Sequence, residues 1–375
     1  MFSRRILACV LWAAGASARA DAPLQSFVDQ SITQTRETAG LPAVAALVQI
    51  KGRIEAQGAV GTRVLFDDSR VTPADRWHIG SDTKAMTATL LARLVERGLV
   101  SFDDPLARLF PGVAGRMDAQ MQNVTLRQLL THTAGLPGLS NPTEIAEFDT
   151  LIASTKGVRA QRAMVVAYYL RRPPASKIGE FAYSNLGYVI AGAVAESLSS
   201  KSWEEMLRAE VWKPLGISDA GFGAPGKTGK TAQPRGHLPV RDQFVSLDPG
   251  DAKSDNPPAV GPAGTVNITL QDWVLFAQDQ LDGLHGHGKL LKPETYRLLQ
   301  TPVKNRYAMG WGVMTDANGE VSLLAHTGSN GYWVADLRIL PKVDAISIVV
   351  TNAGGEKAEK AVRDLSKTLT DRLSP

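Results

Sequence analysis

Cysteine is almost missing from this chain of 375 residues: the single one, Cys9, lies within the first twenty. Everything after it is therefore without disulfides, without a thiol nucleophile and without a cysteine-ligated metal. Charge of one sign is also missing, with 41 Lys and Arg against 37 Asp and Glu. No Lys/Arg-rich stripe is present, which argues against a nucleic-acid partner. Long apolar runs are absent too. The run Ile6 to Ala14 is too short to span a bilayer, and no later stretch approaches that length.

That short run has a recognisable setting. Arg4 and Arg5 precede it, and Ala18-Arg19-Ala20 follows as a small-x-small site. Together they read as a secretory signal peptide over residues 1–20, cleaved after about Ala20. Cys9 follows too short an apolar run to resemble a lipoprotein acceptor. The expected product is an exported protein, periplasmic or secreted, with no membrane span. The leader carries three arginines and no acid, so its removal takes the net charge from +4 to +1. The composition, 44% hydrophobic and 21% charged, is that of an ordinary folded domain, and the length suits one large domain or two lobes.

Leu24 to Glu37 reads as a helix. Ala43 to Ile50 and Ile54 to Val60 are apolar runs around Lys51-Gly52-Arg53, a hairpin pattern. Between about residues 100 and 260 short helices alternate with Gly/Pro loops. Thr125-Leu126-Arg127-Gln128 is a capping box, and a helix is expected from about Leu186 to Leu198. Residues 219–265 read as irregular loop, and Thr269 opens a further helix. Leu323 to His326, Tyr332 to Leu340 and Ala345 to Asn352 are strand candidates with short connections, followed by an amphipathic helix from Glu356 to Leu373. Such strands make an antiparallel sheet. The expected fold is mixed α/β (α+β): a sheet completed by the N-terminal hairpin and flanked by the terminal helices, in a lobe of about residues 21–80 and 265–375, beside a mostly helical, loop-rich lobe of about 81–264.

Three short motifs carry chemistry. Ser81 is the only serine with a lysine three residues on, Lys84, and it opens an apolar-periodic helix. Residues i and i+3 share a helix face, so the amine can reach the hydroxyl. A serine needs a neighbouring base to become a nucleophile, and a desolvated lysine can serve, because burial disfavours its charge. A helix cap followed by a solvated lysine is the competing reading. Tyr183-Ser184-Asn185 is the only Tyr-x-Asn. A phenol beside a cationic lysine can have its pKa lowered and shuttle protons, and Asn185 can hold an amide; taken alone, the motif fits an ordinary helix start capped by Asn185 better. His326-Thr327-Gly328 ends a strand candidate and can present backbone N–H groups to a substrate oxygen, or mark a plain strand-to-turn transition.

Taken together, Ser81-x-x-Lys84, Tyr183-x-Asn185 and His326-Thr327-Gly328 resemble the penicillin-recognising serine enzymes, in the class C β-lactamase-like branch that includes D,D-carboxypeptidases and related esterases. Leu129 to Leu136, Gly187-Tyr188 through Ala195-Glu196 and Gly261 to Gly264 agree with it. The resemblance covers nearly all of residues 22–375 and implies a β-lactamase/transpeptidase-like fold. It implies an acyl-enzyme on Ser81, proton transfer by Lys84 and Tyr183, substrate binding by Asn185, His326, Thr327 and Gly328, and an oxyanion hole from the backbone N–H groups of Ser81 and Ser329. The implied partner is a small-molecule or peptide substrate, and no cofactor is required. Many β-lactamases of this branch have lysine where this chain has His326. Histidine is not a fixed cation at neutral pH, which weakens a dedicated carboxylate site without excluding a peptidase or esterase. A penicillin-binding sensor that acylates without turnover is the alternative from another class.

Two further patterns compete. Gly221 to Thr228 fits the phosphate-binding loop letter for letter, but lacks the preceding buried strand and the following helix. A nucleotide binder is accordingly a distant alternative. His285 and His287, split by Gly286, have no carboxylate cluster beside them, and no metal site is expected.

Overall fold

The computed structural model describes residues 23–373 except Asp242 and Ala252, so the signal-peptide segment lies outside the described residues. Two near-continuous apolar runs explain the architecture. Ala43–Ile50 is buried at every position but the last. Ala43, Ala45 and Leu47 point into one hydrophobic core, while Val44, Ala46 and Val48 point into another on the opposite face. Alternate residues of a strand face opposite sides, so a strand covered on both faces must be apolar throughout. Ala345–Thr351 is built the same way, and these two lie side by side in the interior of a six-stranded antiparallel sheet. Its order is Arg53–Gly61, Ala43–Ile50, Ala345–Thr351, Val334–Leu340, Val321–Ser329, Gly312–Thr315.

The terminal helices cover one face. Glu356–Leu373 buries Ala358, Val362, Leu365 and Leu369, a spacing of three and four that makes one helical stripe. Leu24–Ala39 adds Val28 and Ile32 to the same core. The other face packs on helices drawn from the middle of the chain, and that core runs without interruption from Ala43 to Val350. Among the described residues no helix is long and apolar enough to cross a membrane.

The fold departs from the sequence reading in three places. The strand holding His326 does not end there but continues to Ser329, with Thr327 paired to Asp336 and Gly328 to Ala335. A sixth strand, Gly312–Thr315, lies beyond it. The stretch 219–265 holds strands Ala220–Phe222, His237–Val240 and Gln243–Ser246 and helical turns at Pro258–Val260 and Gly261–Gly264. Ala220–Phe222 pairs with Val266–Thr269, which pairs in turn with Arg76–His78. This small sheet delivers the chain to Ser81.

Candidate active site

The polypeptide leaves strand Arg76–His78, makes a single tight turn at Gly80–Asp82 and enters the helix Thr83–Glu96. Gly80 has φ +50, and a Cβ there would stand 2.6 Å from the amide nitrogen of Ser329. From the other side, a Cβ at Gly328 would stand 2.8 Å from the amide nitrogen of Ser81 and 2.2 Å from the Ile79 carbonyl. Only glycine permits this approach, which brings the backbones of Ser81 and Ser329 together.

The helix Thr83–Glu96 is buried on nearly every side, and Lys84 is 0% exposed. Its Nζ lies 3.0 Å from Ser81 Oγ, 2.8 Å from Asn185 Oδ1 and 2.7 Å from the Ala263 carbonyl oxygen. Burial pushes the Lys84 pKa well below its usual value, with Asp82 acting in the opposite direction. A neutral amine has two N–H donors and one lone pair. Asn185 and Ala263 can only accept, so they take the two donors, and the lone pair faces the Ser81 hydroxyl. This arrangement suits a base that withdraws the serine proton.

Tyr183 is 37% exposed as a whole, but its hydroxyl is enclosed and turned toward Ser81. The Lys84 amine sits 5.0 Å from its ring centroid. The sequence suggested a lowered phenol pKa beside a cationic lysine. Instead burial pushes it above the usual value, and the Ser81 hydroxyl is the group that opposes the shift. Because burial disfavours the charge on Lys84, the lysine is a poor cation to stabilise a phenolate. Asn185 is not the helix cap. Ser184 is, its hydroxyl accepting from the Gly187 amide at 3.1 Å, which leaves the Asn185 side chain free to bridge Lys84 and the Leu139 carbonyl.

His326 faces the same interior. Its Nε2 is 3.2 Å from Tyr307 Oη and its Nδ1 is 3.0 Å from the Thr327 carbonyl. Burial above all pushes its pKa down to about 3, and any charge on nearby Lys84 acts in the same direction. That favours the neutral imidazole near pH 7 and argues against the pH-switched carboxylate contact open to a solvated histidine. Thr327 turns to the other face of the strand and donates to Asp336 Oδ2 at 2.7 Å. The cleft of about 510 Å³ in front of Ser81 is lined by Leu139, Phe148, Asn185, Asn256 and Asn330 among others, and the charged groups on its wall are Asp149 and Glu359.

Sequence reasoning left His132 unassigned although it quoted the run that holds it. His132 brackets Tyr183: its carbonyl accepts from the Ala182 amide at 2.8 Å, and its Nδ1 accepts from the Ser184 amide at 3.1 Å. Its ring packs 4.2 Å from the Tyr183 ring and 4.7 Å from that of Tyr307. The helix Leu126–Leu130, capped by Thr125 and Gln128 as expected, ends just before it. Arg162, fully buried, was also missed. It pairs with Glu196 at 2.6 Å and Glu204 at 2.5 Å and donates to the carbonyls of Pro258 and Ala259, tying down the segment that presents Ala263.

Asp82 was missed as well. It is 2% exposed, and neither carboxyl oxygen has a hydrogen-bond partner. Burial, with Asp336 adding repulsion, pushes its pKa well above the carboxylate range. Between the ordinary and the raised value the folded protein holds a proton that the unfolded chain has lost. Stability must therefore fall as pH rises across that window, by up to about 1.4 kcal/mol per pH unit for one proton. Asp82→Asn should remove this slope and be the more stable protein at the alkaline end. Urea unfolding of both proteins over a pH series measures it, and parallel stability curves would refute it.

The two competing patterns resolve differently. Gly221 lies in the strand Ala220–Phe222, and among the described residues no helix follows before Pro258. The strand–loop–helix context of a phosphate loop is therefore missing. His285 and His287 stack at the end of Leu270–Leu284, and no group of three or more potential metal ligands occurs among the described residues.

A serine at a helix start, touched by a buried lysine and faced by a tyrosine, on an antiparallel sheet with a helical partner layer, defines a serine hydrolase of the Ser-x-x-Lys type. The family model described as Beta-lactamase matches residues 28–371, and the chain belongs to that family. Penicillin-binding protein 4 of Amycolatopsis lactamdurans is 28% identical over 315 residues, spanning 81% of this chain and 78% of that protein. Protein flp of Staphylococcus aureus (strain COL) is 22% identical over 355 residues, 92% of this chain and 67% of its own length. Among solved structures, the octameric penicillin-binding protein homologue from Pyrococcus abyssi superposes with a TM-score of 0.71 at 22% identity, covering 91% of this chain and 77% of that one. A D-stereospecific amidohydrolase from Streptomyces sp. gives 0.69 at 20% identity, covering 91% and 98%. At such identities the structural likeness speaks for the fold.

Proposed function

We propose that this protein is an exported hydrolase that cleaves an ester or amide through an acyl-enzyme on Ser81. The observation that carries the reading is the Lys84 amine, fully buried and 3.0 Å from the Ser81 hydroxyl, with acceptors already holding its two N–H groups. Ser81 Oγ attacks the carbonyl carbon as its proton passes to Lys84 Nζ. The N–H groups of Ser81 and Ser329 hold the oxyanion. The C–N or C–O bond then breaks, and the proton reaches the leaving group through Tyr183, which stays a phenol and works as a donor. Water, deprotonated by the same pair, hydrolyses the ester on Ser81. Asn185 orients the acyl amide, and the end of the strand that carries His326-Thr327-Gly328 lines the pocket through Ser329, Thr327 itself facing away. Residues 21–375 act as one catalytic unit, the cleft lying between the sheet-bearing part and the helical part.

The substrate that fits best lacks a carboxylate beside the scissile bond. His326 is neutral, and Asp149 and Glu359 are the charged groups on the cleft wall. A neutral ester or a D-amino-acid amide suits this better than a β-lactam. Intact-mass measurements with a nitrophenyl ester, a D-alanyl-D-alanine peptide and a penicillin test the reading. The expected result is a transient adduct and release of product from the ester. An adduct that forms with penicillin and persists, without ester turnover, would make the protein a sensor. No adduct with any of the three would remove the hydrolase reading.

A related result concerns pH. The ratio of kcat/KM for an anionic and a neutral ester should stay flat between about pH 5 and 8, the range where a solvated histidine titrates. His326→Lys should raise that ratio by introducing a cation. A native ratio that falls as pH rises would mean that His326 is charged after all.

A further inference from the structure

Behind the two N–H groups assigned to the oxyanion lies a polar chain that links three distant parts of the sequence. His78 has a side chain 0% exposed, and its Nδ1 accepts the Gly80 amide N–H at 3.1 Å. An acceptor nitrogen carries no proton, so the proton of neutral His78 sits on Nε2. That nitrogen lies 3.0 Å from Asp255 Oδ1 and 3.1 Å from Oδ2. Asp255 Oδ1 also accepts from Asn330 Nδ2 at 2.8 Å and from the Asn256 amide at 2.7 Å. Asn330 Oδ1 in turn accepts the Tyr332 amide at 3.1 Å, which fixes the turn after Ser329. Each end of the chain thus fastens a neighbour of one oxyanion donor: Gly80 precedes Ser81, and Asn330 follows Ser329.

We propose that His78, Asp255 and Asn330 are positioning residues that hold the two oxyanion N–H groups at the spacing the tetrahedral intermediate needs. None of the three is asked to touch the reacting atoms. The backbones they fasten come together without side chains between them, since a Cβ at Gly80 would stand only 2.6 Å from the Ser329 amide nitrogen. Strand pairing of Ser329 with Val334 holds one side, and the polar chain adds a direct tie from that side to the turn at Gly80. A donor contributes in proportion to its aim at the developing charge, and misplacement weakens it without affecting ground-state binding. The inference rests on the Ser81 acyl-enzyme reading.

Asp255→Asn is the informative variant, since it changes almost no volume. If the new amide offers its oxygen to Asn330 and Asn256, its NH2 faces His78 Nε2. His78 must then carry its proton on Nδ1, where it meets the Gly80 N–H. If the amide flips, its NH2 opposes the donors of Asn330 and Asn256. Either way at least one bond of the chain is lost.

The expected result is a fall in the acylation rate of about 10- to 100-fold, short of the cost of deleting a donor outright. Affinity for a boronic acid that forms a tetrahedral adduct on Ser81 should fall by a similar factor, while the dissociation constant of the unreacted substrate stays put. Asn330→Ala, which also lines the cleft, should lose more boronate affinity than substrate affinity, so that the ratio of the two falls as it does in Asp255→Asn. The double variant should be little worse than either single one, because both cut the same chain. A purely structural role would lower the melting temperature and leave the ratio of boronate to substrate affinity unchanged, which would overturn the proposal. If Asp255→Asn does not fold, Asn330→Ala decides alone. Failure of the native protein to acylate would instead remove the Ser81 reading itself.

Discussion

Ser81→Ala should abolish covalent labelling by any acylating substrate and reduce turnover by about 10⁶-fold, the scale on which removing a nucleophile acts in serine enzymes. No other serine has a lysine three residues on, and Lys84 is the base in contact with this one. The fold should survive. Ser81 is only partly buried, and Lys84 keeps Asn185 and Ala263 as acceptors once the hydroxyl is gone. Intact-mass measurement after exposure to a nitrophenyl ester, with a thermal melt as control, checks both halves. An adduct that persists in Ser81→Ala at any other residue would move the nucleophile elsewhere.

That much of the site could be read from the chain because its central pairs are local. Ser81 and Lys84 sit one helical turn apart, and Tyr183 and Asn185 flank the capping Ser184, so spacing alone places each pair. What burial does to these groups was not readable. Lys84 reads as an ordinary cation, Tyr183 as a phenol next to one, and His326 as a group that titrates near neutrality. Their burial shifts all three, and the contacts that enclose them, such as Lys84 with Tyr188 and Tyr183 with Tyr307, include ones that join residues more than a hundred positions apart. His78, Asp255 and Asn330 are the extreme case: nothing local links them, and each looks like a loop or strand residue with a polar side chain.

The fold shows the same division. The helix Glu356–Leu373 has the bounds its periodicity predicts, because its apolar stripe and its contacts agree. The hairpin around Lys51-Gly52 and the strands Val334–Leu340 and Ala345–Thr351 were likewise legible as apolar runs between short turns. Gly328 has low strand propensity and suggests a stop after His326, yet pairing with Ala335 carries the strand through it. The same glycine is required there because Ile79 and Ser81 press against it. Gly312–Thr315 escaped notice because four residues are too few to show a period, and its pairing partner, not its own sequence, makes it a strand.

Lys84→Met should cut kcat/KM by about 10²–10⁴-fold, the usual worth of a positioned general base. Methionine keeps the length and apolar stem of lysine, so the packing of the helix Thr83–Glu96 is retained. Asn185 Oδ1 and the Ala263 carbonyl lose their donor, which costs about 1–3 kcal/mol for each buried acceptor left unpaired. Against that, the enzyme no longer buries an amine. The native lysine has a folded pKa below its unfolded one, so between those values the unfolded chain holds the extra proton. Native stability therefore rises with pH across that window, and the deficit is largest on its acid side. Lys84→Met lacks this dependence, so its stability relative to the native protein should be best at low pH and decline as pH rises. Activity should change in parallel. The native acid limb, where Lys84 takes up a proton and ceases to be a base, should vanish from the residual rate of the variant. Rate and urea-unfolding profiles over the same pH series measure both. A variant that keeps the native acid limb, or turns over at near-native rate, would show that Lys84 holds Asn185 and Ala263 in place without taking the serine proton.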